Sequence, residues 1–141
     1  MLPEMLNIMK TEEGFRQFPY RDTNGILTIG YGRNLQSVGL SEIEAEFLFQ
    51  NDVDKVEIYL ENLPWYLDMD MVRRSVVANM AFNLGITKFL TFTNFIDYLK
   101  QKNYQLASSD MLNTLWADQV GKNPGQRAYV LSNILLRGSF Q

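Results

Sequence analysis

Apolar side chains at Leu2, Leu6 and Met9, continued by Glu13, recur at steps of four, three and four, the spacing that lines one face of an α-helix. Pro3 suits a first helical position and Gly14 a stop, so a helix is predicted over 3–13 with Glu13 in its last turn. The pattern then changes. From Phe15 to Tyr31 the chain carries Pro19, the turn Asp22-Thr23-Asn24-Gly25 and the β-prone run Ile26-Leu27-Thr28-Ile29, which together read as a β-hairpin. Helix resumes at Ser41, where Ser41 and Glu44 fit a capping box ahead of Phe47, Leu48 and Val53. It is expected to run to about Leu63, because the residue before Pro64 disfavours helix. Asp68 is placed as the cap of a further helix that buries Val72, Val76, Met80 and Leu84 and ends at Gly85. Helices are also predicted over 93–101 and 104–115, and a last one opens with Asn123 as cap and Pro124 in its first turn, closing before Gly138. No repeat, low-complexity tract or long linker interrupts this order. The expected organisation is a small sheet-bearing N-terminal part joined by a helix to a helical C-terminal part.

Composition narrows the chemistry. The 141 residues are 46% hydrophobic and 21% charged, as in a globular domain large enough to bury a core. There is no cysteine and no histidine. That excludes histidine-dependent Ser or Cys nucleophiles, zinc sites built on His and Cys, and a histidine pH switch. Acid–base work near neutral pH therefore falls to carboxylates, Lys or Tyr. No run approaches the ~18 apolar residues of a membrane span, and residues 1–10 include Glu4 and Lys10 without a small-residue cleavage site, so neither membrane insertion nor a signal peptide is expected. Residues 1–63 hold 11 acidic and 5 basic side chains, a net of −6; residues 64–141 hold 5 and 8, a net of +3. An acidic chain without a basic cluster argues against nucleic acid as a partner.

Glu13 is the first candidate for chemistry. A carboxylate in line with an apolar stripe at the C-terminal end of a helix is expected to be desolvated and to face the negative end of the dipole, conditions that favour a protonated acid. The alternative is a solvated glutamate at a helix end, as Glu12 is expected to be. Asp22 either bonds only to its own turn or faces something reactive, and the hairpin register decides which. A two-residue Asn24-Gly25 loop would put Asp22 and Thr28 on opposite faces. A three-residue Thr23-Asn24-Gly25 loop, with Gly25 in the left-handed conformation, pairs Tyr20 with Thr28 and Asp22 with Ile26 and puts Asp22 and Thr28 on one face; this register is preferred. An acid on one side and an Asp with a held water on the other is the arrangement of inverting glycoside hydrolysis.

At this point the chain resembles a known family. Glu13-Gly14-Phe15-Arg16, Tyr20-Arg21-Asp22-Thr23-Asn24-Gly25 and Thr28-Ile29-Gly30-Tyr31-Gly32 are similar to the N-terminal motif of the phage T4-type lysozymes, or endolysins, of glycoside hydrolase family 24. The resemblance resumes at Leu40-Ser41, Gln50-Asn51-Asp52-Val53, Val72-Arg73-Arg74, Asn79 to Gly85, Phe92-Thr93-Asn94, Trp116 and Pro124 to Arg127, so it spans nearly the whole chain. It implies a lysozyme-like α+β fold, mainly helical, with a small antiparallel sheet in the N-terminal lobe. It implies one domain, with an N-terminal lobe of about 13–62 and a helical C-terminal lobe of about 63–141 to which helix 3–13 is added, the lobes flanking a substrate cleft. The implied reaction is hydrolysis of the β-1,4 bond between N-acetylmuramic acid and N-acetylglucosamine in peptidoglycan, without metal or other cofactor. Glu13 then takes the general acid role. Asp22, helped by Thr28, stabilises the developing cation and directs water. Phe82, Asn83 and Arg127 take substrate-binding positions; from the residues alone, Phe82 and Asn83 read rather as core packing at a helix end, since apolar residues at helical spacing are usually core.

Arg33 stands where the family commonly has histidine after Gly-x-Gly, so the family's structural ion pair is not assumed there. The segment between Gly32 and Ser41 is shorter than in the T4-type enzymes, and Asn34, Phe95 and Asp110 do not match sugar-contacting residues. Two other functions compete: a lytic transglycosylase on the same substrate, which needs the acid but no Asp-held water, and an inactive lysozyme-fold module that binds glycan or protein. A bacteriolytic monomer acting on peptidoglycan strands is the expectation. It would collect in the host cytoplasm and reach the wall through a holin-type pore, or be carried on a virion.

Overall fold

A computed structural model describes all 141 residues. The fold is α+β: nine helices and one three-stranded antiparallel sheet near the N-terminus. The chain divides into two compact units, residues 1–48 and 49–141.

The first unit opens with α1 (Pro3–Glu13), with Pro3 in its first turn and Gly14 ending it at φ 70°. β1 (Arg16–Arg21) and β2 (Leu27–Gly30) form the predicted hairpin, and β2 pairs with a short β3 (Arg33–Asn34) that the sequence pattern did not signal. Tyr20 faces Thr28 and Arg21 faces Leu27, which is the register of the three-residue loop. Towards the other end a bulge shifts the pairing so that Arg16 faces Gly30. The first unit has a thin interior. Thr28 is its only buried residue, and the stripe Leu2, Leu6 and Met9 is 73%, 46% and 43% exposed. Glu13 is exposed with it, so the desolvation expected of that stripe is not present.

α2 (Glu42–Leu60) begins in the first unit and ends in the second. It opens with the predicted box: Ser41 Oγ accepts from the Glu44 N–H, and Glu44 Oε2 accepts from the Ser41 N–H at 2.8 Å. Its end falls three residues before Leu63, because Asn62 and Leu63 turn back to close hydrogen bonds onto Tyr59 and Leu60.

The second unit continues with α3 (Pro64–Leu67), α4 (Met71–Leu84), α5 (Ile86–Phe89), α6 (Thr93–Lys100), α7 (Tyr104–Leu112), α8 (Leu115–Val120) and α9 (Arg127–Arg137). Its core is continuous: Leu60, Val76, Val77, Met80, Phe89, Phe95, Leu99, Met111 and Leu135 are essentially inaccessible to solvent. Four sequence expectations are corrected here. Asp70, not Asp68, caps α4, accepting from the Arg73 N–H, while Asp68 lies at the end of the unforeseen α3. The helix expected over 104–115 is two, because the Thr114 hydroxyl accepts from the Ala117 N–H and starts a new helix. The N-cap position of α9 is Gln126 rather than Asn123, with no side-chain bond to the helix, since Asn123 and Pro124 lie in the preceding turn. The basic balance of the C-terminal part also disappears at the observed boundary: residues 49–141 hold 9 acidic and 9 basic side chains, and residues 1–48 hold 7 and 4.

Candidate active site

Glu13, Asp22 and Thr28 all lie in the first unit, arrayed along the line of β2. Thr28 is within the strand and 4% exposed. Asp22 stands opposite Ile26, just ahead of it. Glu13 reaches the turn that follows: a Cβ built on Gly32 would lie 2.5 Å from Glu13 Oε2. A side chain at this position would push the carboxylate aside, and Gly32 also adopts φ 77°.

Ile26 couples the other two. Its carbonyl accepts from the Asp22 N–H at 3.0 Å and from the Thr28 hydroxyl at 2.9 Å, while its N–H donates to Asp22 Oδ1 at 2.9 Å. Oδ1 also accepts from the Asn24 N–H at 2.8 Å. One Asp22 oxygen is thus fixed by two backbone donors, as in an Asx turn, and Oδ2 stays available to other donors. The Thr28 hydroxyl spends its proton on Ile26, so its oxygen keeps acceptor capacity only. Tyr20, Asp22, Ile26 and Thr28 share one face of the hairpin, as alternation on paired strands requires. The bond from Asp22 to its own turn and its place on this face are compatible, and both occur.

Residues next to Gly14 and Gly32 make contacts that sequence reading did not foresee. Phe15 and Tyr31 pack with ring centroids 5.5 Å apart, and the Lys10 ammonium sits 5.8 Å from the Tyr31 ring centre. Arg33, one residue beyond Gly32, donates from both terminal nitrogens to Glu44, each at 2.7 Å, and from Nε and Nη2 to the Gly39 carbonyl at 3.2 and 3.0 Å. The position not assumed to hold an ion pair therefore holds a bidentate one, to a different element. The backbone N–H of Ser41 and then the Arg33 guanidinium hold the Glu44 carboxyl below the usual glutamate value. A groove of about 780 Å³ lies between this turn and α2, walled by Tyr31, Arg33, Leu40, Ile43, Phe47 and Leu48.

The remaining candidates belong to the second unit. Phe82 is 40% exposed, packs edge-on to Phe49 at 5.4 Å and borders a cavity of about 220 Å³ with Val53, Ser75 and Asn79. The side-chain carbonyl of Asn83 accepts from the indole N–H of buried Trp116 at 2.8 Å. Arg127 is exposed on the first turn of α9.

The family model described as phage lysozyme matches residues 10–130. A relative from Dictyostelium discoideum, called probable T4-type lysozyme 1, is 26% identical, the match covering 84% of this chain and 88% of the relative. A second protein of that organism, probable T4-type lysozyme 2, is 24% identical over 86% and 89%. An endolysin of Salmonella phage P22 is 30% identical over 82% of each chain.

Proposed function

The chain belongs to the phage lysozyme family, and on that premise we propose that it is a metal-free muramidase that hydrolyses the β-1,4 bond between N-acetylmuramic acid and N-acetylglucosamine with inversion. Lysozyme-type action on peptidoglycan is the activity that membership supports. The finer reading rests above all on one observation: Asp22 and Thr28 lie on one face of the hairpin, tied through Ile26, with Asp22 Oδ2 and the Thr28 oxygen both left as acceptors. A water donating one proton to each must turn a lone pair away from both. That converts the pair into a device for aiming a nucleophile.

Glu13, on the turn side of β2, is the proton donor to the leaving oxygen. As the glycosidic bond breaks, the ring takes on cationic character, which the Asp22 carboxylate stabilises. The water then adds at the anomeric carbon from the Asp22 side and gives up its proton there. Phe82, Asn83 and Arg127 serve substrate binding. The position of Arg127 supports this, because a cation at the positive end of α9 does nothing for its own helix. The same acceptors favour hydrolysis over transglycosylation, which has no use for a held water.

The test is release of reducing ends from purified peptidoglycan by the wild type, Glu13→Gln and Asp22→Asn, with the anomer of the new end read by NMR. Losses of about 10²–10⁴-fold in each variant, with the α-anomer first formed, are expected. Full activity of either variant would remove its residue from the mechanism. 1,6-anhydro products would make the protein a transglycosylase, and glycan binding without turnover would make it a binding module.

A further inference from the structure

We propose that Arg33 and Glu44 form a positioning clamp for the proton donor, holding the Gly30–Gly32 turn against the Glu13 carboxylate by tying it to the N-terminus of α2. The proposal rests on the assignment of Glu13 as the acid. The geometry has three parts. Gly32 approaches Glu13 so closely that a Cβ there would meet Oε2 at 2.5 Å, so the height of this turn sets where the carboxylate rests. The turn carries little rigidity of its own: Gly30 and Gly32 flank Tyr31 with φ of 67° and 77°, and β3, which follows, has only two residues. Glycine pairs of this kind leave the backbone free to sample many conformations. Arg33 is the next residue, and its whole guanidinium is engaged, with Nη1 and Nη2 on the two Glu44 oxygens and Nε and Nη2 on the Gly39 carbonyl.

Glu44 is itself immobilised. Its Oε2 also accepts from the Ser41 N–H, and its own N–H donates to Ser41 Oγ, so the carboxylate that receives Arg33 is part of the α2 cap. A bidentate guanidinium–carboxylate pair fixes both distance and plane, which a point-charge contact does not. The clamp therefore joins the exit of β2, the 35–41 segment through Gly39, and the start of α2 into one body, with Gly32 at its edge under Glu13. Neither Arg33 nor Glu44 needs to touch substrate for this. An acid displaced by about 1 Å loses much of its rate, on the order of a hundredfold.

The experiment compares wild type, Arg33→Lys, Arg33→Met and Glu44→Gln for kcat and KM on soluble glycan strands, with circular dichroism at the assay temperature. It adds the ¹³C shift of the Glu13 carboxyl carbon and the amide shift of Gly32 at one fixed pH. In Arg33→Met, kcat is expected to fall about ten- to a hundredfold with KM changed less than about twofold, and both NMR signals move while the circular dichroism stays native. Arg33→Lys, which keeps charge but not the fork, is expected to recover only part of kcat. Glu44→Gln, which retains one acceptor, is expected to fall between. Folded Arg33→Met with wild-type kcat and unmoved Glu13 and Gly32 signals would overturn the clamp. So would full recovery by lysine, since charge alone would then suffice. If Arg33→Met fails to fold, Glu44→Gln decides on the same criteria. An inactive wild type would overturn the muramidase reading instead, and the two NMR signals would still judge the clamp.

Discussion

At Gly32 a single missing carbon atom sets the position of the proposed acid. Gly32→Ala would bring a methyl group against Glu13 Oε2, the far end of a flexible side chain, so the carboxylate moves rather than the backbone. The φ of 77° adds a left-handed penalty of about 1 kcal/mol. The expected result is a modestly lowered melting temperature with a disproportionate loss of kcat; a variant with wild-type kcat would show that Glu13 does not depend on this contact. Arg73 is a second residue whose worth is concentrated. Its guanidinium donates to the carbonyls of Leu135 and Leu136 and to Asp70, and lies 3.9 Å from the Tyr104 ring centre. Arg73→Met should cost about 2–3 kcal/mol in denaturant unfolding, since it leaves carbonyls at the end of α9 without their charged donor. Glu13, Asp22 and Thr28 became candidates from the helix and hairpin pattern together with the resemblance to a family. The contacts that hold them were not readable in the sequence, because Arg33 to Glu44 and Gly32 to Glu13 each join residues of separate elements.

Among the elements, caps decided where sequence reading succeeded and where it slipped. Gly14, Gly85 and Gly138 stop helices as their positions suggested, and Ser41–Glu44 closes the box. Two capping-competent residues, Asp68 and Asp70, stand two apart, and local pattern does not choose between them. Asp70 wins because it meets both the N–H and the guanidinium of Arg73. Thr114 broke a helix that hydrophobic spacing alone would continue, and Thr114→Ala should cost about 1 kcal/mol by removing the α8 cap. Two of these caps titrate. Burial raises the Asp70 carboxyl, but the Arg73 side chain and N–H outweigh it, so its value lies below that of an ordinary aspartate; the Ser41 N–H and Arg33 lower Glu44 likewise. A carboxylate depressed on folding binds its proton more readily in the unfolded chain, so its contribution is present above its ordinary value and is lost as pH falls through the lower, folded one. Unfolding midpoints should therefore decline below about pH 4. Asp70→Asn and Glu44→Gln should each flatten that decline, and parallel curves for variants and wild type would count against both caps.

For the whole molecule, the uneven distribution of buried apolar residues matters most. All the buried hydrophobic side chains come from residues 60–135, whereas residues 1–48 enclose only Thr28. Stability then need not be uniform along the chain. Amide exchange should be slowest at Val76, Val77, Phe95 and Leu99, while the hairpin amides open at a lower free energy; uniform protection across both units would contradict this. The charge pattern also changes meaning at this scale. With a neutral second unit and a net of −3 on the first, no basic lobe is available to draw the protein towards an anionic wall. Lytic activity should accordingly be greater at moderate than at very low ionic strength, where repulsion is least screened. A monotonic fall in activity with added salt would indicate attraction instead.

The hydrogen bonds at Ile26 carry a further meaning for the history this position can have. Asp22 and Thr28 are served there by the backbone N–H and C=O of one residue, not by a side chain, so the genetic code has little hold on the arrangement. Nineteen alternative letters change what hangs from that α-carbon, and only proline deletes the N–H on which Asp22 Oδ1 depends. A saturation library at this codon should return many lytic clones of varied side chain and none with proline. The two polar partners beside it should tolerate almost nothing, so drift would leave a variable residue between two fixed ones.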